Sequence, residues 1–192
     1  MNSENRHKRA ARFLTDVLNP FFIFTALYTL VAFSEASAPQ ASLYISTELA
    51  AAVFVAGYVF LLRLQRRVGD FWISTRAERI MPALVLLGAF VAFLGALVLL
   101  GAPETLLRTT LSMGSASATV AATTLLWKAS AHSAVAGHAV AASLLIFGSP
   151  GLLFALVLAL VLWARVAPGA HTLSQALTGA GVGAAFALLF LA

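Results

Sequence analysis

Apolar residues in this chain come in long unbroken runs, and polar residues come in short clusters between them. Seven apolar segments stand out, at about 12–34, 44–64, 82–101, 104–127, 130–147, 150–165 and 172–191. None alternates with period two, and continuous apolar runs of this length read as helices rather than barrel strands. The breaks carry Pro, Gly or charge: SEASAPQAS, QRRVGDFWISTRAERIMP, GAPE, GSPG and ARVAPGAH. The pattern predicts an all-α, polytopic transmembrane helical bundle of about six to seven spans. One membrane-embedded domain covers residues 1–192. The fifth and sixth segments are short, and the GSPG turn between them predicts a compact hairpin. Pro20 predicts a kink near the start of the first helix. The run from Phe13 to Phe33 has 21 residues, more than the roughly 7–15 of a signal-peptide core. It is close to the roughly 20 that a span needs, and the first helix is read as retained.

Composition sharpens this picture. The chain is 61% hydrophobic and only 10% charged, whereas a soluble domain is about a quarter charged. Such a chain cannot cover a water-facing surface. Its partners are therefore membrane lipids. The absence of cysteine excludes disulfides, thiolate metal sites and cysteine nucleophiles. The net charge of +5 sits in short clusters without interleaved aromatics, which argues against nucleic acid and for charge held at a membrane edge. So few acids argue against a metal site, and no cofactor is expected. Nothing in the sequence sets an oligomeric state.

Two apolar segments are unusual. The fourth contains TTLSMGSASATVAATT, and the last contains GAGVG with Gly179 and Gly183 four apart. Both read as close helix packing through small residues.

Three polar clusters hold the candidate chemistry. With seven spans, the loops after the second, fourth and sixth fall on one side of the membrane. Arg76 and Arg79 belong to the first loop, three apart and on one face if the loop is helical. Lys128, Ser130 and His132 stand at the start of the fifth segment, where helix N–H groups and the dipole favour an anion. Arg165 and His171 flank a Pro-Gly turn, and Gln175 follows one helical turn after His171. Four cations, two histidines, a hydroxyl and a helix N-terminus match a phosphate, and two histidines point to its cleavage.

These clusters resemble the three motifs of the type 2 phosphatidic acid phosphatase superfamily, which includes the vanadium haloperoxidases. That family's third motif is Ser-Arg, five residues, His, three residues, Asp; here stand Ala164-Arg165, VAPGA, His171, TLS and Gln175. Its second motif, Pro-Ser-Gly-His, is matched by ASAH, with Ser130 and His132 in register. Its first motif, a Lys with Arg-Pro following, is altered: Trp72 stands at the lysine if Arg79 is the motif arginine, with Arg76 as a substitute cation. Gln175 stands where the family has the Asp that orients the nucleophile.

The resemblance implies a metal-independent phosphatase acting on a lipid or isoprenoid phosphate or diphosphate. In that reading His171 attacks phosphorus and forms a phosphohistidine, and His132 protonates the leaving oxygen and then activates water. Arg76, Arg79, Lys128 and Arg165 bind the phosphoryl oxygens, Ser130 adds a hydrogen bond, and Gln175 accepts the His171 ring N–H. The alternative is a non-catalytic lipid-phosphate binder or carrier that keeps the phosphatase fold. His138 competes with His132 for the second motif; lacking a serine two residues earlier and lying deeper, it reads as a buried packing histidine.

Charge sets the orientation. Arg6, Lys8, Arg9, Arg12, Arg63, Arg66 and Arg67 lie on the N-terminal side, against Arg108 with Glu35, Glu48 and Glu104 on the other. The positive-inside rule then places the N-terminus and the site on the cytosolic face of the cytoplasmic membrane.

Overall fold

The computed structural model describes residues 3–69, 75, 78, 80–123 and 127–192. Every regular element among them is helical: α1 (Ser3–Val17), α2 (Pro20–Glu35), α3 (Ala38–Leu64), α4 (Ile80–Leu99), α5 (Glu104–Thr123), α6 (Ala131–Phe147), α7 (Leu153–Val166) and α8 (Leu173–Leu191). A 3-10 turn, Ser149–Leu152, joins α6 to α7. The seven apolar segments correspond to α2 through α8 in order.

The first segment departs from expectation. Pro20 does not kink one helix but opens a new one. Asn19 caps it, its side-chain oxygen accepting the Phe22 N–H at 3.1 Å, and proline at the first helical position lacks only an N–H that would have no partner there. The chain bends by 45° at this break. The preceding α1 lies against α7, with Ala11 and Thr15 buried and the Thr15 hydroxyl directed to the Ala164 carbonyl at 3.5 Å.

Four helical stretches are long and apolar enough to cross a membrane: α3, α4, α7 with its preceding turn, and α8. Counting α1 and α2 as one bent span makes five, fewer than the six to seven expected from the sequence. The difference lies in α5 and α6. The hydroxyl residues of α5 lower its hydropathy, and α6 has only 17 residues. The first half of α6 is interior, whereas α5 is only partly covered, with Leu111 exposed. Every residue of α6 from His132 to Ala139 is buried, so its neighbours, not lipid, are its surroundings. In α5, Thr109, Thr110 and Thr119 donate to carbonyls one turn back, at 2.7, 2.9 and 2.9 Å. Those hydroxyls are satisfied within their own helix and need no water.

The closest packing is between α6 and α8. A Cβ on Gly179 would collide with the Ser130 carbonyl, one on Gly183 with the Ala134 carbonyl, and one on Gly137 with Ala180. The small-residue reading of GAGVG therefore holds. In hydrocarbon there is little hydrophobic force between helices, and close backbone approach supplies van der Waals contact instead. Around this pair, α2, α4 and α5 contribute Leu27, Tyr28, Phe93, Leu97 and Met113 to the main apolar cluster.

Hydrogen bonds between helices identify the two ends of the bundle. At one end lie Thr15 with Ala164, Lys128 with Ala170, and Ser130 with Gln175. At the other lie Tyr44 with Gly101 and Arg108 with Phe190. Thus the starts of α6 and α8 and the end of α7 share one end.

Gly181 provides a control two residues from Gly183, because a Cβ there meets nothing within 4 Å. Gly183→Ala should lower stability by about 1–3 kcal/mol through overpacking, whereas Gly181→Ala should be neutral or stabilising by up to about 1 kcal/mol. Unfolding of both variants in detergent measures the difference, and equal stability would contradict the tight α6–α8 seam.

Candidate functional site

The site is assembled from three chain reversals at one end of the bundle. Ser130 caps α6, its hydroxyl oxygen accepting the Ser133 N–H at 3.3 Å and the Ser133 hydroxyl at 3.0 Å. This fixes the first turn of α6 and with it His132. Arg165 is in the last turn of α7. The chain then turns through Gly169, at φ +77°, a conformation that favours glycine. The turn closes when the His171 N–H donates to the Arg165 carbonyl at 3.0 Å.

Lys128 ties this turn to the start of α6 at two points. Its ammonium donates to the Ala170 carbonyl at 3.1 Å. Its own carbonyl receives Nδ1–H of His171 at 3.2 Å. A carbonyl only accepts, so Nδ1 carries the proton in that bond, and in a neutral ring the lone pair is on Nε2. The Ser130 N–H donates to the Gln175 carbonyl at 3.2 Å, a third tie between the same two segments.

Gln175 does not play the role expected of it. The His171 ring bonds to the Lys128 carbonyl, while the Gln175 side-chain oxygen accepts the Thr172 N–H at 3.1 Å. Thr172 and Gln175 form a capping box at the start of α8, a reciprocal arrangement that satisfies two helix-terminal N–H groups. His171 precedes the helix, so the helical spacing that would have carried Gln175 to its ring does not apply.

His132, Arg165 and His171 line one cavity of about 300 Å³. Arg165 and His171 both lie within electrostatic reach of His132. Beyond these three the walls are mostly apolar, from α2, α3, α4 and α5, with Phe24, Val55, Leu86, Phe90 and Met113 among them. Lys128, Ser130 and Gln175 do not line it; what the structure gives them is the frame that positions the other three. Arg76 and Arg79, expected to bind phosphate, and Asp70 lie outside the described residues. His138 is fully buried and faces Ser112, its Nε2 2.6 Å from the hydroxyl, away from the cavity, in keeping with a packing role.

The sequence pattern also misplaced one residue. Glu48 is not a charge on the opposite surface. It is 3% exposed, lines the same cavity and receives the Thr25 hydroxyl at 3.0 Å from each carboxylate oxygen. The signal was present as a lone acid inside an apolar run, which in a membrane helix points to function.

No family model, no curated protein and no solved structure matches the chain. Its own residues define the site: two histidines and an arginine at the head of an apolar cavity in an all-helical membrane protein.

Gln175→Ala should remove part of the α8 cap and lower stability by about 1 kcal/mol. The His171 ring should keep its Nδ1–H tautomer, read from ring nitrogen chemical shifts by NMR. A changed tautomer would mean that Gln175, not the Lys128 carbonyl, governs the ring.

Proposed function

We propose that the chain is a membrane lipid phosphate phosphatase of the type 2 phosphatidic acid phosphatase kind, working through a phosphohistidine. The observation that carries this reading is the meeting of His132, Arg165 and His171 at the head of one apolar cavity. A phosphate fits the cationic and imidazole head, and a lipid tail fits the walls.

In this mechanism Nε2 of His171 attacks phosphorus in line, and the bond from phosphorus to the lipid oxygen breaks. The leaving oxygen takes a proton from His132. As the ring of His171 gains positive charge, the Lys128 carbonyl steadies its Nδ1–H. His132, now neutral, takes a proton from water; the water oxygen attacks phosphorus, the N–P bond breaks and phosphate departs. Arg165, joined by Arg76 and Arg79, holds the oxygens over which charge spreads. Histidine is the nucleophile, so the chemistry calls for no metal. A carbonyl dipole stabilises an imidazolium less than a carboxylate does, so turnover slower than that of a carboxylate-supported site is expected.

The second reading, a lipid-phosphate binder or carrier, is supported by Gln175: its side chain belongs to the α8 cap, while the His171 ring bonds to the Lys128 carbonyl. In either reading α2 through α8 all cross, with the first half of α6 shielded from lipid by its neighbours. Basic residues of α1 and the end of α3 support a cytosolic N-terminus and site by the positive-inside rule.

Purified protein should release phosphate from at least one of phosphatidate, phosphatidylglycerophosphate and the polyprenyl phosphates and diphosphates. That release should survive EDTA and be inhibited by vanadate, which adopts a five-coordinate shape like the transition state. His171→Ala should abolish turnover, and His132→Ala should stop it or let phosphoenzyme accumulate. Tight binding without turnover on every lipid would select the carrier reading, and activity that requires added magnesium would rule out the histidine mechanism.

Sidedness has its own test, since the chain has no native cysteine. A cysteine at Ala38 should react with a membrane-impermeant maleimide in intact cells, and one at Ser3 only after lysis. The reverse pattern would move the site to the outer face.

A further inference from the structure

Glu48 is placed where a membrane helix rarely tolerates an acid. It lies ten residues into α3, about 15 Å along the axis at 1.5 Å per residue. That is about half of a hydrocarbon core roughly 30 Å thick. Its contact with the protein is the Thr25 hydroxyl, and Arg165 is the only cation among the described residues that line the cavity. Nearby, one turn further along α2, Tyr28 is fully buried and its hydroxyl has no hydrogen-bond partner. Two polar side chains with unused hydrogen-bonding capacity thus sit deep in an apolar interior, which is costly unless something completes them. A Leu or Val would pack the α2–α3 contact at lower cost.

Position relative to the histidine site narrows what that something is. Thr25 is five residues into α2, about 7.5 Å along the axis from Pro20. Pro20 itself lines the cavity with Arg165 and His171. Along α2, Thr25, the partner of Glu48, is thus about 7.5 Å from the Pro20 end of the cavity, the scale of a glycerol backbone rather than of a whole tail. As the neutral acid, the form that hydrocarbon favours for a carboxyl without a cation beside it, Glu48 accepts from Thr25 and keeps its O–H as a donor to the cavity.

Resting on the phosphatase or binder reading of the site, we infer that Glu48 is a specificity residue that donates a hydrogen bond to an acyl ester carbonyl of the bound lipid phosphate. Such a carbonyl hangs a few bonds from phosphorus in a diacylglycerol phosphate. An isoprenoid phosphate has only hydrocarbon at that depth and would leave the acid unsatisfied. The substrate class is then an acyl glycerolipid phosphate rather than a polyprenyl phosphate.

Binding of non-hydrolysable phosphonate analogues of phosphatidate, one with two acyl esters and one with two alkyl ethers, tests this on the wild-type protein. The pair differs at the carbonyls. The diacyl analogue should bind about tenfold more tightly, the worth of one hydrogen bond. Glu48→Leu should erase that ratio and Glu48→Gln, which keeps a donor, should retain most of it. The ratio is taken within each variant, so partial loss of folded protein does not mimic the effect. Equal binding of both analogues by wild-type protein, or an unchanged ratio in Glu48→Leu, would overturn the assignment while leaving phosphate release from natural lipids to judge the catalytic reading. Preferential diacyl binding without any turnover would keep the Glu48 assignment and sink the phosphatase. No binding of either analogue would remove both.

Discussion

The carbonyl oxygens of Ser130 and Ala134 face the bare backbone of Gly179 and Gly183, where a single methyl group would not fit. This contact brings α6 and α8 together at backbone distance, along the first two turns of α6 and the second and third turns of α8, and the site exists only because of it. His132 is in the first turn of α6 and His171 just precedes α8, 39 residues away in sequence. What holds their helix starts side by side is the glycine seam and the hydrogen bond from Ser130 N–H to the Gln175 carbonyl. The seam also explains why a short, internally polar α6 survives in a membrane protein. With α8 on one side and α2, α5 and α7 around it, its Ser and His side chains never meet lipid.

Once α6 and α8 are fixed, the remaining ties add precision. Lys128 anchors the turn before α8 through its ammonium and orients the His171 ring through its carbonyl. Both bonds come from one residue, so the ring and the turn cannot shift independently of the start of α6. Supporting partners of this kind set tautomer and basicity in histidine sites generally. A backbone carbonyl gives orientation without a full charge. This separates two jobs that a carboxylate would perform together, fixing the ring and stabilising its cation.

The helices were legible in the sequence because each is bounded by a polar, Pro or Gly cluster, and α4 through α8 follow those boundaries closely. Where the reading slipped, a local signal was present and a different one was followed. Asn19-Pro20 inside an apolar run suggests a kink, although an Asn before Pro is also a cap before a first helical residue. Gln175 was assigned to His171 by helical spacing, although Thr172-Leu-Ser-Gln175 is itself a capping-box pattern. Setting the second segment to start at Tyr44, when α3 begins at Ala38, moved Glu48 from the interior to a margin. The Lys128 carbonyl had no signal at all. Every residue has a carbonyl, and which one meets a ring depends on the folded turn.

The cavity joins two polar features through an apolar middle, and that contrast is its main physical property. At its head, the low dielectric of the walls strengthens the pull of Arg165 on an anion, because charges there are poorly screened. The same walls make a free inorganic phosphate a poor occupant, since it would lose its hydration without burying any hydrocarbon. For the proposed lipid phosphate the tail is already in the bilayer, so moving it into the cavity removes little apolar surface from water. Membrane partition thus supplies little selectivity among lipids of similar length. Under the proposed lipid-phosphate reading, discrimination would come from groups that differ in hydrogen bonding inside the cavity, where an unmatched donor is costly. Glu48, with Thr25 behind it, is the one acid among the described residues in that position.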